Sequence, residues 1–472
     1  MLNHKTLWAA VAVIFSIACN PEKKAAYDLL ISDVNSIDYE SGKILAGKDI
    51  GILGDRIAFI RNHDNSELTD SEKIIDANGK YAIPGLWDNH IHLRGGSELI
   101  KANKEFLSLF IANGITGIRD AGGDLSPEVI SWKNNIEEGN LLGPVIFTSG
   151  PKLDGTGATW AGSIEISDTT QVKEALDSLQ SLKVDFVKLY DSKISREVYL
   201  KVLKEARLRN LITSGHMPFT VLLEENIENG IGSIEHLYYI LKGCSIEETE
   251  ITDQIRNGEI GFWDSFKALL ASYDTVTANT TFKRLRTHQT YVTPTLHIGN
   301  VLSNLKTEVH STDLYLKYVD SLLVKTYKGR IERALQANNE TYKMRLELQE
   351  SFKRLTSELH KWEVPLLAGS DCGAYNSFIY PGISLHQELE ALVNAGLTPL
   401  EALKTSTFNG SRFLKKDSLY GTIEINKMAD ILLLEQNPLT NIKHTQNIHS
   451  VIFKGKNYPK ENLKLLKDST KN

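Results

Sequence analysis

Cysteine is scarce in this chain, which has only three among its 472 residues. This number excludes a disulfide framework, and we expect Cys244 and Cys372 to be separate thiols, although a bridge between them stays open. The net charge is also small: 53 basic and 59 acidic residues give −6. So mild a charge, without a basic stripe interleaved with aromatic residues, argues against nucleic acid as a partner.

The apolar run at the start of the chain, residues 7–18, is too short to span a bilayer as a mature helix. Its short basic start is typical of a secretory signal. The small residues before Cys19 resemble a bacterial lipoprotein processing site, which implies a signal peptide over 1–18, lipidation of Cys19 and a tether over 19–26. The protein would then be exported and anchored to a bacterial membrane, on the periplasmic or surface side, through its lipid alone. An ordinary cleaved signal, with an incidental Cys19, is the alternative.

Short β-rich runs dominate the sequence up to residue 83, and after residue 84 they alternate with longer helical stretches. Alternating strands and helices imply a parallel sheet with right-handed crossovers. Eight such units predict a (β/α)8 TIM barrel over 84–414. The eight runs are 86–92, 115–119, 145–148, 186–190, 211–216, 233–236, 291–296 and 366–371.

Two further segments complete the predicted α/β architecture. The stretch 303–362 has Lys, Arg, Glu and Leu at helical spacing, which predicts an insertion of one or two amphipathic helices at about 300–362. It is interpreted as a surface insertion, with a lid or a dimer contact in a homo-oligomer as the alternatives.

Strand-like runs return after residue 413, at 423–425, 430–434 and 450–454. We expect them to join the N-terminal strands in a small β-sandwich domain, 27–83 plus 415–460, built from both chain ends. The Lys-rich tail after residue 457 is expected to fray.

Possible chemistry begins with His90 and His92 at the end of the first run. Residues two apart on a strand point to the same face, so both imidazoles can reach one point beyond the strand end. Neutral imidazole is a strong ligand for zinc. Alone, this pair fits a solvated strand face equally well. Barrel active sites lie at the C-terminal strand ends, and later runs also end in candidate ligands: Lys188, His216, His236 and Asp371.

Lys188 is at odds with a metal site, because an ammonium group repels a cation. Addition of CO2 would convert the amine into a carbamate whose two oxygens can bridge two metals. An ordinary barrel lysine paired with a carboxylate is the alternative, and it is the simpler interpretation of Lys188 taken alone.

A series of short motifs runs through the chain in a fixed order: PGLWD at 84–88 before the His-x-His pair, NGIT at 113–116 with RD at 119–120, DFVK at 185–188, EHL at 235–237, PTL at 294–296, GSD at 369–371, AGLTP at 395–399, EAL at 401–403 and KMAD at 427–430. Together they resemble the amidohydrolase superfamily in its binuclear, lysine-carbamate form. More narrowly, they resemble the imidazolonepropionase-like branch that contains prolidase-type dipeptidases. The likeness extends from about residue 27 to about residue 455.

The resemblance implies two divalent metal ions, zinc first, with manganese, cobalt or iron as alternatives. It implies that Asp371 is catalytic and takes the proton of a hydroxide shared by the ions before passing it to the leaving amine. The implied ligands are His90, His92 and Asp371 for one ion, His216 and His236 for the other, and N6-carboxylated Lys188 between them.

Residues near these positions are candidates for substrate binding. Tyr190 lies two positions after Lys188 and is expected to hydrogen-bond the substrate carbonyl or carboxylate, with packing as the alternative. Tyr238 lies two positions beyond His236 and has the same two interpretations. His297 follows the seventh run and lines the pocket or is solvated.

The glycine-rich stretch 154–162 departs from the family pattern, because it carries no histidine. Trp160 would supply an apolar wall there instead, which leaves the metal chemistry intact and puts the substrate in doubt. Arg119, at the end of the second run, meets a carboxylate or, as is more common for such an arginine, pairs with a neighbouring aspartate, Asp120 or Asp88.

The function that these residues and the resemblance imply is hydrolysis of the amide bond of a small substrate, a dipeptide of the Xaa-Pro type or an N-acylated amino acid. Export argues against imidazolonepropionase itself. Hydrolysis of a lactone, ester or phosphotriester at the same site is the second hypothesis. A lipid-anchored binding protein without catalysis is the third, and the complete ligand set argues against it.

Overall fold

The computed structural model describes residues 26–64 and 70–471. The predicted signal peptide, Cys19 and all of the tether but Ala26 lie outside the described residues. Within the described part, every helix is too short or too polar to cross a membrane.

The described residues form 18 β-strands and 17 α-helices. The strands are β1 (Leu29–Ile37), β2 (Ile44–Leu53), β3 (Arg56–Asn62), β4 (Ile74–Asp76), β5 (Tyr81–Pro84), β6 (Leu86–His92), β7 (Ile115–Asp120), β8 (Val145–Thr148), β9 (Leu153–Asp154), β10 (Ile164–Glu165), β11 (Val187–Leu189), β12 (Thr213–Gly215), β13 (Ser233–Glu235), β14 (Tyr291–Thr293), β15 (Cys372–Gly373), β16 (Ile431–Leu434), β17 (Ile448–Phe453) and β18 (Lys456–Pro459). The helices are α1 (Ile100–Ala112), α2 (Ser126–Glu137), α3 (Val172–Ser181), α4 (Arg196–Leu208), α5 (Leu223–Glu228), α6 (Tyr238–Gly243), α7 (Glu248–Arg256), α8 (Ser265–Ala271), α9 (Thr275–Thr287), α10 (Leu296–Asn304), α11 (Ser321–Lys325), α12 (Lys328–Gln336), α13 (Asn339–Lys361), α14 (Ile383–Asn394), α15 (Pro399–Thr405), α16 (Phe408–Phe413) and α17 (Lys460–Asp468).

The central parallel strands form two sheets, ordered β15-β6-β7-β8 and β10-β9-β11-β12-β13-β14. Their strand pairs do not close into one ring among the described residues, so the barrel expected from the sequence is reproduced only in its α/β alternation. The helices between the strands pack on this core through their apolar faces, as in α4, whose buried residues include Val198, Val202 and Leu203.

The eighth predicted run, 366–371, is not a continuous strand. Leu366 forms a single parallel bridge with Val292, and β15 pairs with β6 beyond the run. Asp371 leaves the extended conformation with φ 58°, and a side chain at Gly369 would collide with His90. The segment therefore passes close to β6 without forming a regular ladder.

Strands from both chain ends lie in one eight-stranded sheet, because β5 pairs antiparallel with β16. Side chains alternate between its two faces. Ile431 and Leu433 belong to a small separate core, whereas Leu432 and Leu434 face the large central core. Both cores therefore hold the sheet in place beside the parallel strands.

The run 423–425 was predicted as a strand and is not one. A turn follows it directly, in which Lys427 N–H donates to Glu424 O (3.1 Å) and Asn426 has φ 71°. The remaining strands form one sheet, and the sandwich stays a prediction.

The insertion contains three α-helices, α11, α12 and α13, rather than one or two. Asp320 and Asn338 each accept a backbone N–H at the start of a new helix, which divides the stretch. The tail does not fray as expected, because α17 packs against α1 and buries Leu463.

Candidate metal centre

Three residues in the left-handed backbone region stand at strand ends around one point. His236 (φ 67°) follows β13, Thr295 (φ 50°) lies just beyond β14, and Asp371 (φ 58°) precedes β15. Residues other than glycine adopt this conformation at a cost, and such strain is concentrated at functional sites. Strands β13 and β14 therefore stop before such a residue, whereas β15 begins directly after one.

Asp371 lies among three of the histidines predicted as ligands. Its Oδ1 is 3.3 Å from His92 Nε2 and 3.6 Å from His90 Nε2, and its Oδ2 is 3.9 Å from His236 Nε2. One ligand atom each from His90, His236 and Asp371 lies within 4.8 Å of the others, close enough to hold a metal ion.

The two histidines predicted to bind a second ion lie next to the residues predicted to bind the first. The His216 and His236 rings are 5.0 Å apart, centroid to centroid, and the His90 and His236 rings are 5.3 Å apart. His216 therefore lies beside His236, on the side where the sequence predicts a second ion.

All four histidines use Nδ1 for a protein hydrogen bond. A proton held on Nδ1 leaves the Nε2 lone pair free, which is the form that ligates a metal. The Nε2 atom of His90 is buried without a hydrogen-bond partner among the described residues. The protein oxygens at Nδ1 are Glu235 Oε2 for His90 (2.6 Å), Gly122 O for His92 (3.2 Å), Asp191 Oδ1 for His216 (3.1 Å) and Thr295 Oγ1 for His236 (2.6 Å). The carboxylates and the carbonyl accept from the ring, whereas a hydroxyl such as that of Thr295 can accept or donate.

Burial lowers the pKa of these imidazoles. The pKa of both His216 and His236 falls to about 4, and those of His90 and His92 are also lowered. The neutral form, which binds metals, is therefore the form present at neutral pH. Burial raises the pKa of Asp371, but its hydrogen bond with His92 and the neighbouring histidines outweigh burial and hold it well below the usual range.

Lys188 is fully buried, and its Nζ has no hydrogen-bond partner among the described residues. Burial lowers its pKa to about 8, although the charge of Glu235 acts in the opposite direction. A buried amine without a partner is costly as an ammonium ion, and a lowered pKa increases its nucleophilic neutral fraction. These conditions fit an amine that is modified or faces a ligand.

The prediction that Arg119 pairs with a neighbouring aspartate is wrong. Arg119 binds neither Asp120 nor Asp88; its Nη2 donates to Glu235 at 2.9 and 3.1 Å. The hydroxyls of Ser214 and Ser233 surround the same pair. Glu235 therefore links a buried arginine to the ring of His90.

Sequence reasoning missed both carboxylates that orient the histidines. Glu235 and Ser233 are polar residues on one face of a buried strand, a pattern from which a polar network is predictable. Asp191 gave no comparable indication, and it accepts from His216 and, at 2.7 Å, from the Tyr239 hydroxyl.

Tyr190 and Trp160, two of the four candidate substrate contacts, lie on the His216 side of the centre. The Tyr190 ring is 4.5 Å from that of His216 and 6.2 Å from that of Trp160. The guanidinium of Arg94 lies 3.9 Å from the Trp160 ring centroid. The Trp160 ring is therefore in contact with a cation, and its role as an apolar wall for the substrate stays a prediction.

Tyr238 and His297 are placed differently. The Tyr238 ring is 6.5 Å from that of His236 and packs edge-on against Phe352 and Phe262. His297 is not on a loop but in the first turn of α10, where its backbone N–H donates to buried Glu388. Its Nε2 is buried without a hydrogen-bond partner among the described residues.

Comparison with known protein families gives a match over most of the chain. A family model described as the amidohydrolase family matches residues 81–458. An adenine deaminase from Mesorhizobium japonicum is 34% identical over 91 residues, which are 19% of this chain and 14% of that enzyme. The chain therefore matches only a small part of the length of this curated relative.

Solved structures resemble this chain over nearly its whole length. A Xaa-Pro dipeptidase with bound methionine superposes with a TM-score of 0.69 at 18% identity, covering 91% of this chain and 99% of the other. A bottromycin amidohydrolase superposes with a TM-score of 0.73 at 19% identity, covering 93% and 90%. At such identities the likeness shows a shared fold.

Proposed function

The chain belongs to the amidohydrolase family, as its motifs indicated, and on that premise we propose that it is a metal-dependent hydrolase of amide bonds. The observation that carries this proposal is the shared orientation of four histidines, of which His90 and His92 are buried and His216 and His236 partly buried. Each has Nδ1 at hydrogen-bond distance from a protein oxygen, and the Nε2 atoms of three of them face Asp371. With Asp371 beside them, this is a donor set suited to divalent metal ions.

The residues fit two ions, and zinc suits the nitrogen and oxygen donors. His90, His92 and Asp371 would hold one ion and His216 and His236 the other, with Lys188 as a carbamate between them. The buried, unpartnered Nζ of Lys188 supports the carbamate. When bound, the ions supply a Lewis acid for the substrate carbonyl and lower the pKa of the hydrolytic water.

Asp371 is the proposed proton carrier of the reaction. Its pKa lies well below the usual range, so the group is ionised at neutral pH. As the anion it would accept the proton of the attacking water. The same carboxyl group then donates that proton to the leaving amine. Tyr190 and Tyr238 flank the centre on two sides and would orient the substrate by hydrogen bonds to its carbonyl or carboxylate.

We propose that the two parallel sheets are parts of one (β/α)8 barrel with the centre at its C-terminal strand ends. Hydrogen bonds of the segment 365–371 to both neighbours support this closure: Leu367 N–H donates to Val292 O (2.9 Å) and Asp371 N–H to His90 O (2.7 Å). On the other side, Asp185 N–H donates to Thr148 O at 2.9 Å, next to β11 and β8.

The proposed substrates are small and extracellular: a Xaa-Pro dipeptide or an N-acylated amino acid. The fold shared with a Xaa-Pro dipeptidase and the secretory signal predicted from the sequence support them. Ester, lactone or phosphotriester hydrolysis is the alternative at the same centre.

The test is a metal assay of the purified protein followed by a substrate screen. We expect about two divalent ions per chain, loss of turnover on chelation and its return on adding zinc. The screen compares Xaa-Pro dipeptides and N-acetyl amino acids with an aryl ester, a lactone, a phosphotriester and adenine. Turnover of amides supports the proposal, whereas turnover of the other classes alone, or no bound transition metal, overturns it.

A further inference from the structure

An exposed tryptophan lies two ring contacts away from the proposed centre. Trp263 is 53% exposed and is the one exposed tryptophan in the described part of the chain. Its ring centroid is 5.9 Å from that of Tyr238, which in turn is 6.5 Å from that of His236. An indole left in water forgoes the free energy that its burial would contribute. This ring is therefore a candidate contact for a ligand bound at the centre.

Trp263 belongs to a continuous aromatic surface. The ring of Phe262, which is partly exposed, lies 5.1 Å from that of Trp263 and 5.7 Å from that of Tyr238. Tyr238 also contacts the buried rings of Phe266 (5.4 Å) and Phe352 (5.0 Å). We call Tyr238, Phe262 and Trp263 the aromatic patch. An exposed apolar patch that continues to a proposed active site is typical of a binding surface, whereas a single exposed apolar residue is not.

The loop that carries the patch is held in place by hydrogen bonds. It joins α7 to α8, and Gly261 N–H donates to Asp264 Oδ2 at 3.2 Å. The hydroxyl of Ser265 donates to Phe262 O at 2.7 Å. Phe262 and Trp263 are thus fixed at the start of α8 before any ligand binds. Such preorganisation lowers the entropic cost of binding.

The chemistry of the patch determines which portion of a substrate it can bind. Both substrate classes of the proposed function carry a free carboxylate on the amine portion of the amide. Burying a carboxylate against aromatic rings without hydrogen-bond donors for its oxygens costs free energy. The acyl portion carries the variable side chain, and an apolar side chain gains free energy when these rings remove it from water.

We propose that Tyr238, Phe262 and Trp263 form a subsite for the acyl portion of the substrate, and that this subsite selects amides whose acyl portion bears a large apolar or aromatic side chain. This inference rests on the proposed amide hydrolysis and narrows its substrate class. The ring of Tyr238 packs against the side chain, while its hydroxyl keeps the proposed role of orienting the substrate.

The first experiment measures binding, which does not require turnover. The probe 3-phenylpropanoate, an acid that such an amide would release, is titrated into the metal-loaded full-length protein by calorimetry, with propanoate as the matched probe. We expect 3-phenylpropanoate to bind at least about tenfold more tightly, because the patch removes its phenyl ring from water. Trp263→Ala is expected to remove most of this difference, and Trp263→Phe to retain part of it.

Tyr273→Ala is the matched control for this measurement. Tyr273 is 38% exposed, and no ring contact of Tyr273 is found among the described residues. Removing its ring should therefore leave the preference for 3-phenylpropanoate unchanged.

The second experiment compares kcat/KM within two pairs of substrates that share proline as the amine portion. The pairs are Phe-Pro with Ala-Pro, and N-(3-phenylpropanoyl)proline with N-propanoylproline. We expect the larger acyl portion to be preferred at least about tenfold. Trp263→Ala should reduce this ratio at least about fivefold, mainly through KM, because the patch binds a part of the substrate that does not react.

The outcomes separate the subsite from the proposed function. Equal rates within both pairs, or a preference unchanged by Trp263→Ala, would overturn the subsite while amide hydrolysis stands. Binding of 3-phenylpropanoate that depends on Trp263, without turnover of any amide, would support the subsite and reject the proposed function. A dimer that Trp263→Ala converts to a monomer with the preference unchanged would assign the patch to a contact between two copies of the chain, which also overturns the subsite.

Discussion

Glu235 joins the proposed metal centre to the interior of the protein, because its Oε2 accepts the Nδ1 proton of His90 at 2.6 Å. The same carboxylate binds Arg119, and all three side chains are almost completely buried. A hydrogen bond of this kind fixes the ring and makes Nε2 a stronger ligand. The stability of the fold and the geometry of the centre therefore depend on one carboxylate.

Glu235→Gln is expected to affect both properties. Removing one charge of a buried pair leaves Arg119 uncompensated, which costs about 3–5 kcal/mol, and the loss at His90 should weaken metal binding about 10- to 100-fold. Urea unfolding of the apo protein and chelator competition measure the two effects. Glu224→Gln, which breaks the exposed pair with Arg284, is the control and should cost less than about 1 kcal/mol.

Replacing both partners separates the two roles of Glu235. The double variant Arg119→Met/Glu235→Leu removes the charge pair together, so we expect it to be more stable than Glu235→Gln. His90 still lacks its acceptor, so weak metal binding should persist. Recovery of normal metal affinity in the double variant would show that Glu235 does not orient His90.

Asp191→Asn tests the orientation of His216. The amide can still accept from Nδ1 but no longer carries the charge that favours a basic ring, so we expect roughly tenfold weaker metal binding. Metal content after dialysis against graded chelator gives the measurement. Tyr239→Phe removes the other hydrogen bond of Asp191 and should change metal content less; equal effects of the two variants would argue against the proposed role.

Lys188→Ala should lower bound metal and abolish most turnover, because the proposed bridging carbamate cannot form. Metal analysis by mass spectrometry and an amide assay measure the two quantities. Lys242→Ala is the matched control, since Lys242 is also fully buried but donates to Val221 O, away from the centre. A Lys188→Ala protein with full metal content and full activity would exclude the carbamate.

The raised pKa of buried Asp430 leads us to expect a pH dependence of stability that does not involve the metal centre. Burial raises its pKa from 3.8 to about 7. A carboxyl group with a raised pKa in the folded state binds a proton that the unfolded chain releases. The free energy of unfolding should therefore fall as pH rises from about 4 to 7, by at most about 1.4 kcal/mol per unit.

Asp430→Asn should flatten this fall. Urea unfolding at pH 5 and 7.5 gives the change for the wild type and for the variant, with exposed Asp417→Asn as the control. An identical pH dependence in wild type and Asp430→Asn would contradict the assignment.

Much of the candidate centre was accessible from the sequence, because it depends on local order. His90 and His92 are two residues apart, and strand parity puts both on one face. Lys188, His216 and His236 lie in strand-like runs that contain the parallel strands β11, β12 and β13. The prediction of a continuous eighth strand was wrong for two reasons. The backbone at Gly369 lies too close to His90, and Asp371 has a left-handed backbone conformation. Neither feature can be predicted from β propensity.

The sequence by itself determined the alternation of strands and helices, the family of the chain and the candidate metal ligands, since hydrophobic period and motif order are written along the chain. Tertiary structure alone decided which groups surround those ligands. Arg119 meets Glu235 across 116 positions, and Tyr239 meets Asp191 across 48 positions. Such contacts depend on how distant segments pack in space, because burial and proximity of charges are properties of the assembled core rather than of any local stretch.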